Sequence, residues 1–268
     1  MVFLKRHIAP IFITVLFSGC TPRSIDDIIK EQAYNKHLDK YSTILSSQSY
    51  HHLFPQKKST ITISLKDHIH YIKIRFFDHT VAETIRTYLK KNPISHGIVL
   101  DLRHNNGGYL DEAIKVVDLF ISEGMIIKEQ QNHTAIPYFA TQHTIIPHHC
   151  PIVILIDHKS ASASEIVAGS LQFHKRAFII GKRSYGKGTV QTMIPLDHKV
   201  LKLTTAHYTI GHTTVEGKGI IPGIIIDDQI KHTNPYRNII LKYKYVKHQD
   251  KSLLIAVDIA KHLRTTKI

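Results

Sequence analysis

Three short stretches of the chain put nucleophilic, basic and backbone-permissive residues where strands give way to loops or helices, the junctions at which layered α/β proteins build their sites. The first, Leu100-Asp101-Leu102-Arg103-His104-Asn105-Asn106-Gly107-Gly108, runs from an apolar strand into a polar turn with two glycines. Glycines there let backbone N–H groups approach a ligand or a developing negative charge. The second, Ser160-Ala161-Ser162-Ala163-Ser164-Glu165-Ile166, opens a helix directly after the apolar run Ile152 to Ile156. A serine at a helix N-terminus lies in positive potential, which favours an oxyanion near its hydroxyl, although serine is also an ordinary helix cap. The third, Gly181-Lys182-Arg183-Ser184-Tyr185-Gly186-Lys187-Gly188-Thr189-Val190-Gln191, sets a lysine among glycines before a β-branched run.

Two familiar motifs are nearly spelled by the third stretch. A phosphate-binding loop requires Ser or Thr after Lys187 and then a helix, whereas Gly188 and Thr189-Val190 follow. Ser184-Tyr185-Gly186-Lys187 also fits the Ser-x-x-Lys pattern of penicillin-binding proteins, but Gly186 and the flanking strand text disfavour the helix that pattern needs. The His148-His149-Cys150 cluster between Pro147 and Pro151 reads as a loop entering a strand, since a metal site needs further ligands at defined spacing. Asp101 and Arg103 are expected to form a structural pair.

The elements that must position these stretches alternate. Strands at Thr60 to Leu65 and Ile69 to Phe76 flank the turn Lys66-Asp67-His68, followed by a helix near Thr80 to Lys91, a strand Gly97 to Leu102 and a helix near Leu110 to Ser122. Pro151 to Asp157 is a second continuous apolar strand, then a helix from about Ser162 and a strand Ala177 to Gly181. Both apolar strands are expected to be covered on each face. Thr189 to Leu196, the turn Asp197-His198-Lys199 and Val200 to Ile210 give a β-rich C-terminal part, closed by a helix near Lys251 to Thr265. At the other end, Ser24 caps a helix with Ile25, Ile28, Ile29, Ala33 and Leu38 on one face, an N-terminal arm that ends near Ser46 and leads into a connector.

In order, spacing and wording, the text from about Ile69 to Ile226 resembles the C-terminal processing peptidases, or tail-specific proteases, of the S41 type. Gly97 to Gly108, Ser160 to Gly169 and Gly181 to Gln191 carry the likeness, with Leu201-Lys-Leu-Thr-Thr-Ala206 and Gly217-Lys-Gly-Ile-Ile-Pro222 adding to it. The resemblance implies a ClpP/crotonase-like α/β peptidase core. It makes Ser162 the nucleophile, Lys187 the general base and Gln191 the residue that orients the lysine, with the backbone N–H groups of Gly108 and Ala163 as the oxyanion hole. A lysine deprotonates serine only while neutral, so Lys187 is expected to be desolvated. No metal or organic cofactor is required by this chemistry, and protein or peptide substrates are implied. Family members usually carry a PDZ domain; between Ser46 and Ile69 there are too few residues for an independent domain, which normally needs about fifty or more. A homodimer or an adaptor is the expected replacement.

Lys5 and Arg6, the apolar run Ile8 to Phe17 and Ser18-Gly19-Cys20 form a signal over residues 1–19, and the small residues before Cys20 resemble a lipobox in which Cys20 is lipidated. An ordinary secretory signal or an uncleaved anchor is the alternative, and each version exports the rest of the chain to the bacterial cell envelope. Domain organisation is therefore expected as residues 1–19 signal, 20–59 arm and connector, and 60–268 peptidase domain. With two cysteines in all, lipidation of Cys20 leaves Cys150 without a disulfide partner. The formal charge of +14 is spread without an aromatic-interleaved patch, which argues against nucleic acid and is compatible with a nearby anionic membrane or wall polymer. A binding lipoprotein that kept the fold and lost turnover is the competing function.

Overall fold

Two five-residue strands without an exposed position mark the centre of the sheet: Gly97–Asp101 and Ile152–Ile156 are buried throughout. In the computed structural model, which describes residues 42–46, 49, 60–94, 96–131, 134–142, 144–196, 199–226, 234–246 and 249–265, these two strands lie side by side and parallel. Numbering all strands in chain order, β1 is Thr43–Ser46, β2 Ile61–Lys66, β3 Ile69–Ile74, β4 Gly97–Asp101, β5 Met125–Gln131, β6 Thr134–Phe139, β7 Ile152–Ile156 and β8 Phe178–Gly181. The remaining strands are β9 Thr189–Leu196, β10 Lys199–Ile210, β11 Thr213–Thr214 and β12 Ile224–Ile225. The helices are α1 Val81–Lys91, α2 Leu110–Asp118, α3 Ala163–Phe173, α4 Arg237–Lys242 and α5 Lys251–Thr265.

One sheet runs β12-β8-β7-β4-β3-β2, parallel except for the antiparallel edge strand β2. Side chains alternate across it. Ile98, Leu100, Ile152, Ile154 and Ile156 join the apolar faces of α1, α2 and α3, while Val99, Val153, Leu155 and Ile180 meet Leu253, Ala256, Val257 and Ala260 of α5. Burial on two faces is what makes these strands read as unbroken apolar runs, and each such Ile, Leu or Val contributes on the order of 1.5–3 kcal/mol. Asp67 and His68 both take positive φ, the backbone of a two-residue hairpin turn, and they join β2 to β3.

The second sheet runs β1-β10-β5-β6, with β9 and β11 also on β10. Three of its strands, β1, β5 and β6, depart from the sequence reading. Thr43–Ser46, expected at the end of the helical arm, is a strand whose register with β10 runs Thr43 to Lys202 through Ser46 to Lys199. The hairpin β5–β6 was hidden by Lys128-Glu129-Gln130-Gln131, residues of helical preference, and by Pro137, which is tolerated because β6 pairs on one side with β5. Helix α2 stops at Asp118, before the expected Ser122. Residues 1–41, which include the signal, Cys20 and the Ser24 to Leu38 helix, lie outside the described residues. Among the described residues no helix is long and apolar enough to cross a membrane.

Candidate active site

Three serines compete for attention after β7, and packing separates them. Ser160 and Ser164 are fully buried, with Oγ of Ser160 donating to the Leu102 carbonyl at 2.8 Å and that of Ser164 to the Asn105 carbonyl at 2.9 Å. They stitch the turn after β7 to the turn after β4. Ser162, between them, is partly exposed and caps α3 with φ 56° and ψ −116°, a conformation that non-glycine residues adopt only under constraint. Such a sharp strand-to-helix turn projects a hydroxyl outward at a helix N-terminus.

The glycine turn abuts this serine. Gly107 has φ 118°, and a Cβ there would stand 2.9 Å from Cβ and 3.3 Å from Oγ of Ser162, so a side chain at 107 is incompatible with the packing. A Cβ on Gly108 would collide with the Phe77 backbone. Phe77 holds the turn in register: its N–H donates to the Gly107 carbonyl at 3.0 Å and its carbonyl accepts from Tyr109 N–H at 2.8 Å. Buried Asn105 completes the turn, taking the Gly107 N–H at 2.8 Å and donating to the Ile74 carbonyl at 3.0 Å. The N–H groups of Gly108 and Ala163 donate to no partner among the described residues. An anion held there would meet two backbone donors and the positive end of α3.

Lys187 follows β8 in the loop before β9. It is half-buried, and its Nζ donates to Oε1 of Gln191, the third residue of β9, at 2.6 Å. The expected burial of Lys187 is thus partial. What joins this loop to Ser162 is Glu165, which is fully buried. One carboxylate oxygen accepts from Ser184 Oγ and Gly186 N–H, each at 2.6 Å; the other accepts from the N–H groups of Ser162 and Lys187, each at 2.8 Å. A single carboxylate therefore spans both backbone positions of the expected nucleophile and base. Tyr208 on β10 makes the same connection from the other side, its buried hydroxyl donating to the carbonyls of Lys187 at 2.9 Å and Ser162 at 3.3 Å.

The expected site residues Gly108, Ser162, Ala163, Lys187 and Gln191 thus fall in one network of neighbouring turns, while Cys20 lies outside the described residues. Glu165 and Tyr208 went unrecognised. Glu165 carried a signal, the Ser-x-x-Glu spacing at a helix start, in which a glutamate reaches back to the cap N–H; Tyr208, far along the chain on another sheet, carried none. The penicillin-binding reading is disfavoured by geometry, because Ser184 is buried, donates to Glu165 and accepts the Ile220 N–H at 2.6 Å. At the loop before β7, burial pushes the Cys150 thiol up to about 11 against the pull of Arg176, whose guanidinium instead binds the carbonyls of Phe120, Pro147 and Cys150. That loop is held as structure. His79, Asp111 and Glu112 cluster closely enough to share a cation, yet Lys115 Nζ already bridges Asp111 at 2.9 Å and Glu112 at 3.3 Å.

Comparison with known proteins places this geometry. The profile of peptidase family S41 matches residues 68–226. A carboxy-terminal-processing protease of Bartonella bacilliformis is 40% identical over 183 residues, covering 65% of this chain and 42% of that protein. A chloroplastic carboxyl-terminal-processing peptidase of Arabidopsis thaliana is 33% identical over 160 residues, covering 58% of this chain and 31% of that protein. The chain thus spans less than half the length of each. Among solved structures, a photosystem II D1 C-terminal processing protease aligns with a TM-score of 0.56 at 26% identity, over 64% of this chain and 49% of that one. Mature CPAF aligns with a TM-score of 0.55 at 13% identity over 77% of this chain and 55% of that one, a likeness of fold alone. The ClpP/crotonase-like α/β core expected from the sequence is the fold observed. Residues 68–226 include β3 to β12 and every member of the network around Ser162 and Lys187, and by that match the chain belongs to peptidase family S41.

Proposed function

We propose that the chain is a serine-type endopeptidase in which Ser162 is the nucleophile, Lys187 the general base and Gln191 the group that holds the lysine. The observation that carries this reading is the pair of contacts made by the Lys187 residue: Nζ to Gln191 at 2.6 Å, and backbone N–H to the same Glu165 oxygen that takes the Ser162 N–H. In the reaction, Ser162 Oγ bonds to a peptide carbonyl carbon as its proton passes to neutral Lys187 Nζ. The carbonyl oxygen becomes an oxyanion facing the Gly108 and Ala163 N–H groups, which favour the charged tetrahedral state over the planar amide. The C–N bond then breaks, Lys187 gives the proton to the departing amine, and water activated by Lys187 releases the acyl group from Ser162. Ser162→Ala and Lys187→Ala are each expected to abolish hydrolysis of unfolded protein; a purified variant that cleaves at the wild-type rate would overturn the assignment.

Substrates on this reading are proteins or peptides of the cell envelope, reached after export. The sequence of residues 1–20 supports anchorage by a lipid on Cys20. Metabolic labelling with a radioactive fatty acid tests this: label on the wild type and none on Cys20→Ala is expected, and equal labelling would refute it.

A further inference from the structure

The oxyanion turn is flanked by an aromatic group that the proposed chemistry leaves unused. Phe77 is fully buried and brackets Gly108 with its backbone, and its neighbour Phe76 lies in the bend that follows β3. Phe76 is partly exposed and meets the Tyr109 ring edge-on, centroids 6.3 Å apart. On Tyr109 lies the His79 ring, stacked at 3.7 Å with 20° between planes, and 61% of that histidine side chain is exposed. Tyr109 itself is partly exposed and immediately follows Gly108.

Charge does not dominate this surface. Asp111, 3.9 Å from His79, is paired with Lys115 at 2.9 Å, and Glu112 is buried and bound to the Ala82 N–H. The platform therefore offers ring faces and edges beside a neutralised acid. A carbonyl pinned at the Gly108 N–H has its own Cα and side chain in a nearly fixed place, because the oxyanion contacts and the attacking Oγ set the orientation of that residue.

Resting on the peptidase reading above, we propose that Phe76, His79 and Tyr109 form a specificity subsite for the side chain of the residue whose carbonyl is attacked, and that it selects large apolar or aromatic side chains. Ring contacts of this kind favour aromatic partners beyond their buried area.

The test uses the full chain on pairs of peptides that differ only in Phe or Ala on the acyl side of a mapped cleavage site. Wild type is expected to favour Phe by about tenfold or more in kcat/KM, the range a filled apolar pocket provides. In Tyr109→Ala the ratio is expected to fall to within about twofold, Tyr109→Phe to keep it, and His79→Ala to lower it partway. Tyr109 contributes to the turn through its backbone N–H, a bond that each replacement retains. If Tyr109→Ala slows both peptides equally and keeps the ratio, the rings merely brace the turn and the proposal is overturned. A wild type that cuts Phe and Ala peptides equally overturns it too, with the Ser162 assignment intact. A wild type that cuts no peptide, or no faster than Ser162→Ala, overturns both readings.

Discussion

Two fully buried carboxylates, Asp101 and Glu165, are satisfied in opposite ways. Asp101, at the end of β4, is surrounded by charge: Arg103 at 2.6 Å, Lys73 at 3.2 Å and the Tyr71 hydroxyl at 2.8 Å, while Arg103 reaches on to Asp250 before α5 at 2.6 Å. Glu165, at the start of α3, accepts three backbone N–H groups and one serine hydroxyl, with no Lys, Arg or His in ion-pair distance among the described residues. The Asp101 group ties a helix to a sheet. The Glu165 group fixes the relative placement of two loops, and its donors are the very amides of Ser162 and Lys187. Cations on flexible stems can follow a displaced partner, whereas backbone amides cannot, so the first arrangement suits cohesion and the second suits geometry.

If the contrast is right, the largest loss of stability comes from Arg103→Ala. It leaves buried Asp101 with only Lys73 at 3.2 Å and the Tyr71 hydroxyl, and urea unfolding should show a loss of about 3 kcal/mol, the low end for buried pairs that lose one member. A loss below about 1 kcal/mol, the range of exposed pairs, would mean that the Asp101 network is decorative. Glu165→Gln should do its damage elsewhere. The amide cannot accept from all four donors, the two loops shift, and kcat/KM on a peptide substrate should fall about 10²-fold or more, the scale expected for an ångström of misplacement. Full activity in that variant would show that Ser162 and Lys187 are held by other means.

Acid should separate the two carboxylates next. Burial works against ionisation of Asp101, but Arg103, Lys73 and Tyr71 outweigh it and hold the carboxyl below its ordinary value of 3.8. A depressed folded value means that the stabilisation is complete above 3.8 and is lost as pH falls below it. Asp67, Asp78, Asp157, Asp250 and Asp258 are depressed as well. Melting temperature should therefore be level from mildly acidic to neutral pH and drop below 3.8, and Asp101→Asn should shrink that drop; an unchanged drop would assign it to the other depressed carboxyls. The smallest effect is expected from Tyr208→Phe, which removes one hydroxyl from the Ser162 and Lys187 carbonyls: about 1 kcal/mol in urea, with activity reduced far less than in Glu165→Gln.

Much of the site was legible because its parts are local. The turn-helix text around Ser162, the two glycines after β4 and the glycine-flanked lysine each announce themselves within a dozen residues, and the resemblance in their order supplied Gln191. Glu165 was written three residues from Ser162 yet its task was hidden, since three of its four bonds go to a loop some twenty residues on. The hairpin β5–β6 and the strand β1 were illegible for a different reason: Lys128-Glu129-Gln130-Gln131 and Pro137 interrupt the strand-forming residues of the hairpin, β1 is only four residues long, and both β1 and β5 take their place by pairing with β10 over a long stretch of chain.

By itself the sequence determined the alternation of elements and the double-sided burial of β4 and β7, because these follow from periodicity and from residue type, while the candidates Ser162, Lys187 and Gln191 came from the resemblance in their order and spacing. Tertiary structure alone decided which of three serines is left partly exposed, that Lys187 lies against Gln191, and that Glu165 and Tyr208 clasp the loops of Ser162 and Lys187 from two directions. Those facts depend on hydrogen bonds between segments distant in sequence, and such bonds form only once the sheets have packed and excluded water from the groups that must then find one another.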